Sequence, residues 1–222
     1  MSTIAQRLND INATLPAGVK LVAVSKFHPA EAIREAYDAG HRCFGESRAQ
    51  ELQAKYQELP QDIEWHFIGH LQTNKVKYIV PFVSLIHSVD STRLLDEIER
   101  QAERAGRVVD CLLEVHVAQE DTKYGFSPAQ CREFMASNDR AAYPHVRFRG
   151  IMGMASNTDD DVQVECEFAQ LKQLFDDVRS DVADAETFDI LSMGMSHDYL
   201  MAIGQGSNMV RIGTTIFGNR EY

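Results

Sequence analysis

Lys26 follows the apolar run Leu21-Val22-Ala23-Val24 after a single serine. A lysine ending a buried strand either reaches back to water or is used for its amine. Desolvation disfavours the ammonium form, so the free amine there suits Schiff-base chemistry with an aldehyde. Near the other end of the chain, Met209-Val-Arg-Ile-Gly-Thr-Thr-Ile-Phe-Gly218 carries Arg211, Gly213 and Thr214. Leu191-Ser-Met-Gly-Met-Ser196 brings Met195 and Ser196 up to a short helix beginning near His197. Backbone N–H groups at a helix start, together with Ser and Thr hydroxyls, are the materials of a phosphate cup. An amine, a permanent cation and an anion cup match what pyridoxal 5'-phosphate requires: a Schiff-base partner, a partner for the ring nitrogen and an anchor for the phosphate. The competing roles are plain ones, a polar strand end for Lys26 and a helix N-cap for Ser196.

These residues meet only if the chain folds back on itself repeatedly, and its patterning does so. β-Branched runs at Val19–Lys26, Arg42–Glu46, Glu64–Gly69, Leu85–Val89, Val109–Val117, Val146–Met154, Phe188–Met193 and Met209–Phe217 alternate with helical periodicity. The helical stretches are 29–37, Arg48–Leu59, Thr73–Val80, Thr92–Ala105, Pro128–Asn138, Asp160–Ala183 and Asp198–Gly204, with Pro29 suited to a helix start and Gly40 to a helix end. A helix between each pair of strands leaves no hairpins and forces parallel pairing. An open doubly wound sheet and a closed barrel both satisfy this; eight units of about 28 residues favour a single-domain (β/α)8 TIM barrel over residues 1–222. A further helix, Ile4–Leu15, precedes strand one and would cap the bottom or side of the barrel. In that fold, active sites lie at the C-terminal ends of the strands, with a phosphate site after strands seven and eight.

Composition narrows the class. With 22 Lys plus Arg against 33 Asp plus Glu, the net charge is −11, which argues against a broad nucleic-acid surface but permits one phosphate held by backbone dipoles. The start MSTIAQRLNDINATL lacks the basic and apolar regions of a signal peptide, and the longest apolar stretch, Tyr78 to His87, is too short to span a membrane. Cytoplasmic residence is the expectation, with Cys43, Cys111, Cys131 and Cys166 as free thiols. His66 and His70 lack the shared helical face a metal would need, so no metal is expected. The contiguous Ser196-His197-Asp198 cannot form a hydrolase triad, because adjacent side chains cannot chain the required hydrogen bonds. Asp159-Asp160-Asp161 reads as a helix start, Lys75 and Lys77 as solvated helix residues, and Trp65-His66 as core or as the wall behind a cofactor.

Several motifs in fixed order carry a resemblance across nearly the whole chain. Ala23-Val-Ser-Lys26, Phe44-Gly-Glu-Ser-Arg-Ala-Gln-Glu51, Trp65-His-Phe-Ile-Gly-His-Leu-Gln-Thr-Asn-Lys75, Lys123-Tyr-Gly-Phe126, Arg149-Gly-Ile-Met152, Leu191-Ser-Met-Gly-Met-Ser-His-Asp198 and Val210-Arg-Ile-Gly-Thr-Thr-Ile-Phe-Gly218 resemble the pyridoxal phosphate homeostasis protein family. Such proteins are similar to the N-terminal barrel of alanine racemase without its second domain. The resemblance implies pyridoxal 5'-phosphate as cofactor, with Lys26 as the Schiff-base amine, Arg211 facing the pyridine nitrogen, and Ser196, Gly213 and Thr214 holding the phosphate beside Met195. Ser47 stands where the family commonly has Asn near the cofactor's phenolic oxygen, and a water could fill the gap left by the shorter side chain.

Arg211 bears on the chemistry, since a guanidinium beside the ring nitrogen disfavours a second positive charge and makes the ring a weaker electron sink. Racemisation needs an acid–base group on each face of the α-carbon. Alanine racemases take the second from another domain, for which this barrel leaves no length, and Tyr199 is the best-placed internal substitute. The expectation is a carrier or buffer of the cofactor in vitamin B6 homeostasis, with a weak amino-acid racemase as alternative. As a carrier it would act as a monomer and serve cofactor-dependent apo-enzymes.

Overall fold

Short β-branched runs pair with the next run in sequence, each crossover helix bringing the chain back to the same end of the sheet. The computed structural model describes residues 2–118, 124–181 and 186–218. In chain order the elements are α1 (Ile4–Thr14), β1 (Lys20–Val24), α2 (Ala30–Asp38), β2 (Cys43–Glu46), α3 (Ala49–Glu58), β3 (Glu64–Phe67), α4 (Val76–Ile79) and β4 (Leu85–Val89). Then follow α5 (Thr92–Ala105), β5 (Val109–His116), α6 (Pro128–Ala136), β6 (Val146–Met154), α7 (Asp161–Asp181), β7 (Ile190–Ser192), α8 (Tyr199–Gly204), β8 (Met209–Ile212) and α9 (Thr214–Phe217). All strand pairs are parallel, and β8 closes on β1 with Val22 opposite Arg211. The expected (β/α)8 barrel is the observed fold.

Boundaries differ where the sequence is ambiguous. The run Met209–Phe217 stays a strand only to Ile212, because Phe217 N–H turns back to Gly213 O and Gly218 N–H to Thr214 O, making a helical turn. Strand seven is shorter than Phe188–Met193, and Phe188 stacks on Phe175 in the helix layer instead. Thr73–Val80 splits into a 3₁₀ turn, Thr73–Lys75, followed by α4. The end of the expected helix Asp160–Ala183 lies outside the described residues, as does Lys123. Asp160 caps α7, its carboxylate accepting from Val162 and Gln163 N–H, in keeping with the acidic run as a helix start.

Helix α1 flanks the barrel between α2 and α9: Ile4 N–H donates to Glu35 Oε1 and Arg7 Nε donates to Ile216 O at 2.6 Å. Most of the core lies between strands and helices, where Ile33, Phe44, Leu52, Trp65, Phe67 and Ile79 are buried together. The lumen holds a separate small cluster, Val22, Cys43, Leu85, Leu112, Met152 and Met209. The four cysteines are free. Among the described residues, no helix is long and apolar enough to cross a membrane.

Candidate functional site

Lys26 does not end β1 but sits in the turn after it, and that turn is built from buried charge. Ser25, fully buried, gives its hydroxyl proton to Glu46 Oε1 at 2.6 Å. Lys55 reaches in from α3 and donates to Ser25 O at 2.9 Å, to Glu46 Oε1 at 2.7 Å and to Glu51 Oε1 at 2.7 Å. Glu51 Oε1 also accepts the Phe27 N–H at 2.7 Å. The residues before and after Lys26 are thus tied to one cluster, which holds Phe27 in the left-handed region at φ 67°. Burial pushes the Glu46 carboxyl up to about 7 against the opposing pull of Lys55.

Across the barrel mouth, the loop after β7 turns at Gly194 (φ 96°), where a Cβ would stand 2.6 Å from that of Ala202. The turn carries Ser196 over to the loop after β8, where its hydroxyl oxygen accepts the Gly213 N–H at 3.2 Å. Ser196 therefore does not cap the next helix as its position suggested. Asp198 is the residue at the start of α8, and its carboxylate accepts from Met195 N–H and pairs with His197.

Arg211 rises from β8 into the lumen and is 4% exposed. Its Nη1 donates to Ser192 O at 2.9 Å and Ser192 Oγ at 2.6 Å, and its Nη2 to Gly153 O at 3.0 Å. Burial lowers the guanidinium to about 10, with Asp198 and Glu114 resisting, so it stays a cation at neutral pH. Glu114, on β5, is pushed up to about 7 by burial and by Asp90, with Arg211 opposing.

One cavity of about 270 Å³ at this end gathers Lys26, Met195, Ser196, Arg211, Gly213 and Thr214, and His28 and His197 line it as well. Ser47 is not among its lining residues. Beyond the end of β2 it turns against Gly69, whose Cβ, if present, would lie 2.6 Å from that of Ser47. Tyr199 is also elsewhere, its hydroxyl 3.1 Å from Thr14 Oγ1 on α1. His66 and His70 part company: His66 is buried in the lumen, while His70 pairs with Asp90 and stacks on Tyr124. Cys43, Glu64 and His66 bring their sulfur, oxygen and nitrogen atoms within 4.8 Å of one another, with Glu64 paired to Lys20. Trp65 faces the helix layer and belongs to the main core.

Sequence reasoning missed Ser25, Glu46, Glu51 and Lys55 behind Lys26, and His87, Glu114 and Ser192 below Arg211; His66 it offered only as core or as the wall behind a cofactor. Counting by twos along each strand from a known inward residue is the signal that would have found the second group.

The family described as the alanine racemase N-terminal domain matches residues 1–221. A pyridoxal phosphate homeostasis protein of Aquifex aeolicus is 43% identical over 204 residues, covering 91% of this chain and 88% of that protein. The chain belongs to the pyridoxal phosphate homeostasis protein family. A family relative from Pseudomonas aeruginosa, 36% identical, covers 100% of this chain and 98% of its own length. The structures of PipY from Synechococcus elongatus, 38% identical and spanning 97% of this chain, align with TM-scores of 0.91 without PLP and 0.87 with PLP bound. Alanine racemase from E. faecalis shares the barrel at TM-score 0.74 and 16% identity, and this family member covers 57% of that chain.

Proposed function

We propose that the chain binds pyridoxal 5'-phosphate in the cavity at the C-terminal ends of its strands and acts in vitamin B6 homeostasis as a carrier or buffer of that cofactor. The observation that carries this reading is the convergence on one cavity of an amine, a buried guanidinium and a hydroxyl–amide pair. That donor set fits the cofactor's aldehyde, ring nitrogen and phosphate respectively. When bound, the cofactor supplies an electrophilic aldehyde carbon to which an amine adds with loss of water. Lys26 supplies the amine, presented by a turn that buried charges hold rigid. Arg211 directs donors at the ring nitrogen and keeps it unprotonated. Ser196, Thr214 and the Gly213 N–H hold the phosphate, and Met195 packs beside it. Ser47, outside the cavity lining, has a lesser part, through water. A carrier needs only reversible attachment and no second proton-transfer group. One domain, residues 1–222, does this work, as a cytoplasmic monomer that serves cofactor-dependent apo-enzymes.

The test is borohydride reduction of protein incubated with the cofactor, read by absorption and by peptide mass. The expected result is one fixed adduct, on Lys26, lost in Lys26→Ala. An adduct that persists in Lys26→Ala overturns the assignment of the amine. Sustained loss of optical purity in D- or L-alanine overturns the carrier reading in favour of a racemase.

A further inference from the structure

Beneath Arg211 lies a row of polar side chains that binding the cofactor does not by itself require. Ser192, His87, His66 and Cys43 come from four strands, β7, β4, β3 and β2, and are respectively 0%, 0%, 2% and 4% exposed. They run from the cavity end of the lumen toward its opposite end. Ser192 Oγ lies 3.1 Å from His87 Nδ1, His87 Nε2 lies 2.9 Å from His66 Nδ1, and His66 Nε2 lies 3.5 Å from Cys43 Sγ. Polar groups are costly in such a place unless each donor meets an acceptor.

We propose that Ser192, His87 and His66 form a hydrogen-bond relay of fixed direction which crosses the barrel lumen and holds Arg211 toward the cavity, making them positioning residues for the cofactor's ring nitrogen. The last clause rests on the function proposed above; the direction of the relay does not. A guanidinium has donors only, so Ser192 Oγ must accept from Nη1. That hydroxyl keeps one proton to give, and His87 Nδ1 is the acceptor in reach. An imidazole that accepts at Nδ1 carries its proton at Nε2, so His87 donates to His66 Nδ1. His66 then carries its own proton at Nε2 and directs it at the Cys43 sulfur, a weak acceptor.

The reverse direction leaves the Ser192 hydroxyl facing two donors, with its own proton unmatched in a fully buried site. Arg211 is the member that cannot reverse, and it sets the direction for the rest. The relay also needs both imidazoles neutral. Burial ensures this, taking His66 down to about 3 and His87 well below the usual imidazole range, with Arg211 and Lys20 adding to the effect on His87. A neutral relay leaves Arg211 as its only cation, fixed at Nη1 by the Ser192 hydroxyl and carbonyl and at Nη2 by Gly153 O.

Two measurements test this. Long-range proton–nitrogen NMR of the full chain labelled with ¹⁵N-histidine, without cofactor, reads each tautomer directly, and loss of signals in His66→Gln and His87→Asn assigns them. Protonated Nε2 and bare Nδ1 are expected for both rings at neutral pH. A protonated Nδ1 on either ring, or a charged ring, overturns the relay. The second measurement is cofactor affinity and the absorption band of the bound cofactor. His87→Asn keeps an acceptor oxygen for Ser192 and should stay within about twofold of the parent protein, whereas His87→Leu and Ser192→Ala should each weaken binding about tenfold and move the band. Ser192→Ala changes little volume and carries the test should His87→Leu fail to fold. Parent-like affinity and band in Ser192→Ala overturn the positioning role. Failure of the parent protein to bind the cofactor overturns the proposed function instead, while leaving the tautomer result to stand or fall alone.

Discussion

Replacing Lys55 by Met tests whether the turn carrying Lys26 is held by buried charge. The substitution keeps the aliphatic stem but removes three hydrogen bonds, to Ser25 O, Glu46 and Glu51. Removing one partner of a buried ion pair costs about 3–5 kcal/mol, because the other charge is left uncompensated. Glu46 adds a pH dependence of known sign. Its carboxyl titrates at about 7 in the fold against an ordinary 4.5, so the folded protein holds this proton more tightly than the unfolded chain. Stability from this group is therefore greatest in acid and falls by about 1.4 kcal/mol per pH unit between 4.5 and about 7, roughly 3 kcal/mol in all, then levels off. Lys55 is the main influence holding that value down. Without it Glu46 titrates higher, and the fall continues above neutrality in the variant alone. The penalty of Lys55→Met should therefore grow, by up to about 2 kcal/mol, between about pH 6 and about pH 8.5. Urea denaturation of both proteins at the two pH values measures this. An equal penalty at both would refute the idea that Glu46 depends on Lys55 for its charge.

Two further outcomes follow from steric and hydrogen-bond detail. Gly150→Ala should lose more stability than the roughly 1–3 kcal/mol of ordinary overpacking, seen as a collapsed Tm, because its Cβ would sit 1.8 Å from Ile190 O at φ 148° on the β6–β7 ladder. Tyr199→Phe should cost about 0.5 kcal/mol of stability, since its hydroxyl meets Thr14 near the surface, and should leave cofactor uptake unchanged; loss of uptake would show that Tyr199 acts at the site after all.

The barrel was legible because strand runs and helical periods alternate without interruption, and this pattern survives errors at element ends. Such errors cluster where hydrophobicity outlasts hydrogen bonding: Ile216 and Phe217 look like strand residues, yet they are buried by a helical turn that starts at Gly213. Lys26, Arg211 and Ser196 stood out because strand ends in this fold face the cavity that all three line. Ser47 came from resemblance alone, and the turn that follows β2 carries it away from the cavity. His87 and Ser192 escape, and His66 reads only as core or cofactor wall, for a different reason. Read singly, each is an ordinary polar residue in an apolar run, and only closure of the barrel, which turns β3, β4 and β7 toward one lumen, makes them neighbours. Lys55 and Glu46 likewise come from a helix and a strand whose packing, not spacing, brings them together.

The division of the core into two clusters bears on how this molecule tolerates change. Alternate residues along the strands have different roles: those facing outward pack on the helices and supply most of the buried apolar area, while those facing inward mix a smaller apolar cluster with buried polar groups such as His66, His87, Glu114, Ser192 and Arg211. Folding free energy and chemistry thus come from opposite sides of the same eight strands. Inward positions accept histidine, serine or arginine only where each finds a hydrogen-bond partner, whereas an outward change must be matched by a helix. A shift of one residue in any strand would exchange the two sets and forfeit both at once.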